Sequence, residues 1–138
     1  MPEVMIVDDE TDVRDAIRRV LERAGYAVRS ADNGAQALDA LESRGADLVI
    51  TDIIMPVMDG VEAIQAIRAR HPRTRIVAIS GGGNFGVAEY QPEAITTTAY
   101  LAAAGQAGAD ALLTKPFDSA EILGAVRRAL GRDSERGL

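Results

Sequence analysis

The chain has 138 residues, 47% of them hydrophobic, with no cysteine and one histidine, which fits one packed domain and excludes a disulfide framework, a cysteine nucleophile and a multi-histidine metal site. A net charge of -6 argues against nucleic acid as a direct partner, because phosphate binding needs a basic surface. No stretch approaches the roughly 20 apolar residues that span a bilayer, and the start Met1-Pro2-Glu3-Val4 lacks a signal-peptide pattern, so no membrane insertion and a cytoplasmic location are expected.

Val4 to Val7 reads as a buried strand ending at Asp8-Asp9. Val13, Ile17, Val20, Leu21 and Ala24 then recur at the helical period, and Gly25 supplies a helix stop. Tyr26 to Ser30 is the second strand. Asn33-Gly34 opens a second helix with Ala37, Leu38 and Leu41 inward and Gly45 closing it. Leu48 to Thr51 is a third strand, ending at Asp52. Val61, Ile64 and Ile67 mark a third helix, which Pro72 stops. Arg75 to Ser80 is the fourth strand, and Ala111 to Thr114 is the fifth. Between them Gly81 to about Ala94 reads as an unusually long irregular connection, followed by a helix near Thr97 to Ala104. The last helix opens on Asp118-x-x-Glu121, a capping box, with Ile122, Leu123, Val126 and Leu130 inward.

Strands that are continuous apolar runs, alternating with helices, call for a parallel sheet covered on both faces. The expected fold is α/β: a doubly wound five-stranded parallel sheet with helices on both faces. Residues 1–131 form the domain, and 132–138 form a short polar C-terminal tail.

In such sheets ligands bind at the carboxyl ends of the strands. The residues there are Asp8 and Asp9, Asp52, Ser80 and Lys115, the only lysine beside 14 arginines. Three close carboxylates repel one another. A divalent cation relieves this, and Mg2+ takes oxygen ligands and retains waters for a phosphate. A lysine and a hydroxyl beside it can hold phosphoryl oxygens, and a carboxylate can serve as nucleophile. Taken singly, each residue has a purely structural reading: Asp8-Asp9 as helix caps, Asp52 as a turn aspartate, Ser80 as loop chemistry, Lys115 as a solvated cation. Their joint placement on successive strand ends favours the chemical reading.

At these residues the sequence resembles response-regulator receiver domains. Val4-Met5-Ile6-Val7-Asp8-Asp9-Glu10 is similar to their opening. Asp52-Ile53-Ile54-Met55-Pro56-Val57-Met58-Asp59-Gly60 is similar to their phosphoacceptor segment, and Gly108 to Phe117 to their fifth-strand segment. The resemblance implies Asp52 as phosphoacceptor. It implies Mg2+ held by Asp9, Asp52 and the Ile53 backbone carbonyl, with Asp8 acting mostly through bound water. Lys115 would pair with the phosphoryl group, and Ser80 would hydrogen-bond it and move towards it. The implied function is a two-component or phosphorelay switch. A histidine kinase or histidine phosphotransfer protein donates the phosphoryl group, and output reaches an unknown downstream protein by contact or by relay. No enzyme activity is implied beyond self-phosphorylation and autodephosphorylation.

Two features depart from the family. Leu112 stands where an aromatic residue is usual, and the connection after Ser80 is long. Two other functions compete. One is an aspartate-nucleophile phosphatase or mutase, which needs a second carboxylate where this chain has Ile54. The other is a phosphorylation-independent protein-binding module on the same fold, to which Leu112 is the only pointer.

Overall fold

In the computed structural model, residues 2–52, 60–80, 105–114 and 117–137 are described, with backbone alone at Gly60, Ser80 and 132–137. The sheet has five strands, β1 (Glu3–Val7), β2 (Ala27–Ala31), β3 (Leu48–Asp52), β4 (Arg75–Ser80) and β5 (Ala111–Thr114), in the order β2-β1-β3-β4-β5. Every pairing is parallel. The helices are α1 (Thr11–Arg23), α2 (Gly34–Ser43), α3 (Gly60–Arg70) and, after β5, α4 (Ser119–Gly137). The doubly wound five-stranded α/β fold expected from the sequence is the one formed.

The apolar runs are continuous because both faces of the sheet are covered. Met5, Val7 and Val49, with Ile76 and Ala78, pack against Leu38 and Leu41 of α2 and Ile64 and Ile67 of α3. The alternate residues Val4, Ile6, Leu48, Ile50, Val77 and Ile79 pack against Ile17 and Leu21 of α1 and Ile122 and Val126 of α4. The central strand β3 is buried along its whole length. Each fully buried Ile or Leu contributes about 1.5–3 kcal/mol, so these two layers supply the main stabilisation of the sheet.

Local signals set most boundaries. Gly25 adopts φ +99°. Its N–H donates to the Glu22 carbonyl and that of Tyr26 to the Leu21 carbonyl, both at 3.1 Å, which closes α1 in a Schellman turn. Because the Tyr26 amide is used there, β2 begins one residue later than expected and extends to Ala31, which pairs with Val7. Asn33 caps α2 by accepting from the Gln36 N–H at 2.9 Å, and the Gln36 side chain accepts from the Asp32 N–H at 3.0 Å. At the other end of α2 the expected glycine closure does not occur. Arg44 is the extended cap residue, and among the described residues only Gly25 and Gly108 have positive φ. Arg29 instead holds the departing chain, donating to the carbonyls of Arg44 and Gly45 at 2.8 and 2.9 Å.

The last helix runs to Gly137, so the segment expected as a polar tail after residue 131 continues α4. Gly131 weakens a helix by about 1 kcal/mol relative to alanine but does not break it, and no proline follows Pro116. The Gly81–Ala94 connection and the helix expected at Thr97–Ala104 lie outside the described residues. Residues 105–107 are helical and lead through Gly108 into β5.

Candidate functional site

The strand order reverses between β1 and β3, and in open α/β sheets ligands settle at the carboxyl ends flanking such a reversal. Asp8 and Asp9 directly follow β1, and Asp52 ends β3. The register fixes their neighbourhood: Val7 pairs with Thr51, Asp52 with Ile79, and Ser80 with Thr114. The Asp8 loop and Asp52 therefore lie side by side, with Ile79 and Leu113 in the row of Asp52, and with Ser80 at the end of β4 and Thr114, the residue before Lys115, one row further on. The Ser80 side chain, Ile53 and Lys115 lie outside the described residues.

Asp8, Asp9 and Asp52 each offer a carboxylate oxygen, and these oxygens all lie within 4.8 Å of one another. Asp8 is 1% exposed and Asp52 8%, whereas Asp9 is exposed. Two carboxylates are thus set in the floor and one stands at the mouth. Three hard oxygen donors, with one side open to water, fit a divalent cation of the magnesium type. Among the described residues no other group of three or more acidic or histidine side chains has this spacing.

Asp8 is both a member of this cluster and a structural element. Its Oδ1 accepts from the Glu10 N–H at 2.9 Å, which closes an Asx turn rather than the expected helix cap, because Glu10 is the N-cap residue of α1 and no side chain caps that helix. Its N–H donates to the Ala31 carbonyl at 3.3 Å, which ties the loop to β2. Its carbonyl accepts from the Arg14 guanidinium at 2.7 Å. Arg14 also forms an ion pair with Asp32 at 2.8 Å and reaches Thr11 Oγ1 at 3.3 Å. Under Asp52, the buried Thr51 hydroxyl donates to the Asp52 carbonyl at 3.0 Å.

Sequence reasoning found the three aspartates and missed Arg14, Asp32 and Thr51. A signal for Arg14 was present. Helical side chains lean towards the N-terminus, so an arginine in the first turn after an Asp-Asp pair is placed to reach back to it. Nothing in the sequence pointed to Asp32, which meets Arg14 only because β1 and β2 are neighbours.

Comparison with known proteins agrees with this geometry. Residues 4–127 match the family model for the response regulator receiver domain. The DNA-binding transcriptional regulator NtrC of Escherichia coli K12 is 33% identical over 96% of this chain and 26% of its own length. The transcriptional regulatory protein FixJ of Azorhizobium caulinodans is 34% identical over 99% of this chain and 60% of its own. The chain thus spans between about a quarter and three fifths of these relatives. Among solved structures, the receiver domain of NtrX from Brucella abortus superposes with a TM-score of 0.78 at 30% identity, covering 92% of this chain and 97% of that one.

Proposed function

Because the chain belongs to the response regulator receiver domain family, we propose that it is a phosphorylation switch whose acceptor is Asp52. The observation that carries this reading is the convergence of Asp8, Asp9 and Asp52 within 4.8 Å at the sheet's reversal point. Receiver domains are regulatory units rather than enzymes acting on a separate substrate, so the chemistry is the chain's own modification and its reversal.

In this mechanism a histidine kinase or histidine phosphotransfer protein presents a phosphohistidine. An Asp52 carboxylate oxygen attacks phosphorus, the phosphorus–nitrogen bond breaks, and the imidazole leaves. Asp9, Asp52 and the Ile53 carbonyl would hold Mg2+, with Asp8 reaching it through water. The bound cation supplies charge neutralisation for the incoming phosphoryl group. Lys115 pairs with the phosphoryl oxygens as a point charge, and Ser80 donates to another and couples the modification to the end of β4. Water later cleaves the acyl phosphate and regenerates the carboxylate. The reaction belongs in the cytoplasm. No helix among the described residues is long and apolar enough to cross a membrane.

The curated relatives named above are transcriptional regulators in which the match covers only part of the protein. For this chain the reading is output through protein contact or phosphoryl relay, not through direct nucleic-acid binding by the domain. Incubation with acetyl phosphate, followed by intact mass, tests the acceptor chemistry. The expected result is a gain of one phosphoryl group that requires Mg2+ and is absent in Asp52→Ala. No gain in folded, Mg2+-binding protein, from acetyl phosphate or from a phosphorylated histidine phosphotransfer domain, would favour the binding-module alternative. Leu112, the one large hydrophobic side chain exposed among the described residues, at 43%, is the feature that reading would use.

A further inference from the structure

Two of the three acidic residues, Asp8 and Asp9, sit on a loop of three residues, Asp8 to Glu10, between β1 and α1. Such a loop ligates a cation well only if its backbone is held. Asp8 is held at three points: its N–H on Ala31, its carboxylate on the Glu10 N–H, and its carbonyl on Arg14. The first two contacts are made by neighbouring backbone. The third is made by a side chain that is 15% exposed, whose Nη1 also meets Asp32 Oδ1 at 2.8 Å while its other terminal nitrogen reaches Thr11 Oγ1 at 3.3 Å. A guanidinium presents several donors in a rigid plane, so Arg14 pins the loop after β1 to the loop after β2 across the end of the sheet.

The geometry points to Arg14 as a positioning residue of the acidic site, holding the Asp8–Asp9 loop in the arrangement that binds the divalent cation. This inference rests on the reading of Asp8, Asp9 and Asp52 as a Mg2+ site. Two effects of Arg14 on that site oppose each other. As a cation beside an acidic cluster it repels Mg2+. As a clamp on Asp8 it favours Mg2+ by fixing the ligands in advance. Asp32, with 60% of its side chain exposed, pairs with the guanidinium at 2.8 Å and offsets part of its charge, and water at the open side screens more of it, so the repulsion reaching the cluster is weaker than that of a lone cation. The clamp therefore dominates.

The sign of the effect separates the two. Loss of a neighbouring positive charge alone would tighten Mg2+ binding in Arg14→Met, whereas loss of the clamp weakens it. Calorimetric titration of the full chain with Mg2+, in the absence of any phosphodonor, reads this directly. The expected result is binding weaker by about 10-fold or more, the usual effect of removing a residue that orients a metal ligand. Arg14→Lys keeps the charge but loses the fork, and is expected to recover part of the loss. In Arg14→Met the Glu10 amide, which donates to the Asp8 carboxylate, should exchange with solvent faster. Equal or tighter Mg2+ binding by folded Arg14→Met would overturn the inference. If that variant does not fold, Arg14→Gln, which also removes the charge, is read by the same criterion. Absence of Mg2+ binding by the unaltered chain would overturn the metal reading itself, and the inference with it. Normal binding by the unaltered chain with an unaffected variant overturns the role of Arg14 alone.

Discussion

Three glycines separate conformational need from mere presence. Gly108 has φ +125°, and a Cβ there would lie 3.1 Å from the Arg68 Nε and 3.3 Å from its Cγ. The guanidinium it would push is engaged, donating to the Gly108 carbonyl at 2.7 Å and to Asp110 Oδ2 at 2.9 Å. Gly108→Ala should destabilise the chain by about 1–3 kcal/mol from backbone strain, plus whatever the shift of Arg68 adds. Gly25 has φ +99° but open space around it, so Gly25→Ala should cost only the left-handed backbone, about 1–2 kcal/mol. Gly45 has neither positive φ nor a neighbour within 4 Å. Gly45→Ala should be neutral or stabilising by up to about 1 kcal/mol, because alanine restricts the unfolded chain more. Urea unfolding of the three variants checks the order, and equal losses in all three would refute the distinction.

Among the elements, α4 shows how a short sequence signal becomes packing. Its capping box is reciprocal: the Glu121 N–H donates to Asp118 Oδ1 at 2.8 Å, and the Asp118 N–H donates to Glu121 Oε1 at 2.9 Å. The cap fixes where the helix starts and therefore which residues face the sheet. Ile122, Ala125, Val126 and Ala129 are all at or below 1% exposed. Asp118→Ala should cost about 1 kcal/mol and loosen the first turn of α4, which amide exchange at Glu121 and Ile122 would register. Unaltered exchange there would mean that packing alone sets the register. The box and the inward positions of Ile122 and Val126 were legible because both signals are local, whereas Ala125 and Ala129 complete the buried face and the expected Leu123 and Leu130 pack only partly buried beside it. What held β5 in place was not legible. Asp110, with 6% of its side chain exposed, pairs with Arg68 from α3 and accepts from the Ile76 N–H at 2.9 Å. Those partners are 42 and 34 residues away in sequence, so no window of the chain displays them. The end of α4 was misread for a different reason. The stretch from Gly131 to Gly137 is polar in sequence and carries no apolar period, and helical hydrogen bonding continues without one.

At the level of the whole molecule, β1, β3 and β4 were readable because each carries an apolar run, and the acidic site because it lies where such runs stop, whereas the edge strand β2 carries Arg29 and Ser30 and buries only Ala31. The sheet order was not readable from any one strand. Only the pairing of Val7 with Thr51 brings Asp8 beside Asp52. The same topology has an energetic consequence. A fold that gathers three carboxylates within 4.8 Å gives up stability to hold them, as functional sites commonly do. In Mg2+-free buffer, Asp9→Asn should therefore melt at a higher temperature than the unaltered chain, because it removes one charge from the cluster without touching the buried Asp8 and Asp52. Adding Mg2+ should reverse the comparison. A cation bound only by the folded state adds about 1.4 kcal/mol at ten times its dissociation constant, and the unaltered chain, with the Asp9 carboxylate among its ligands, gains more of this at any given concentration. Thermal unfolding of both chains across a Mg2+ series would show the two curves crossing. Parallel curves would mean that Asp9 is not a ligand, and a lower midpoint for Asp9→Asn without Mg2+ would mean that the three carboxylates are not in repulsion.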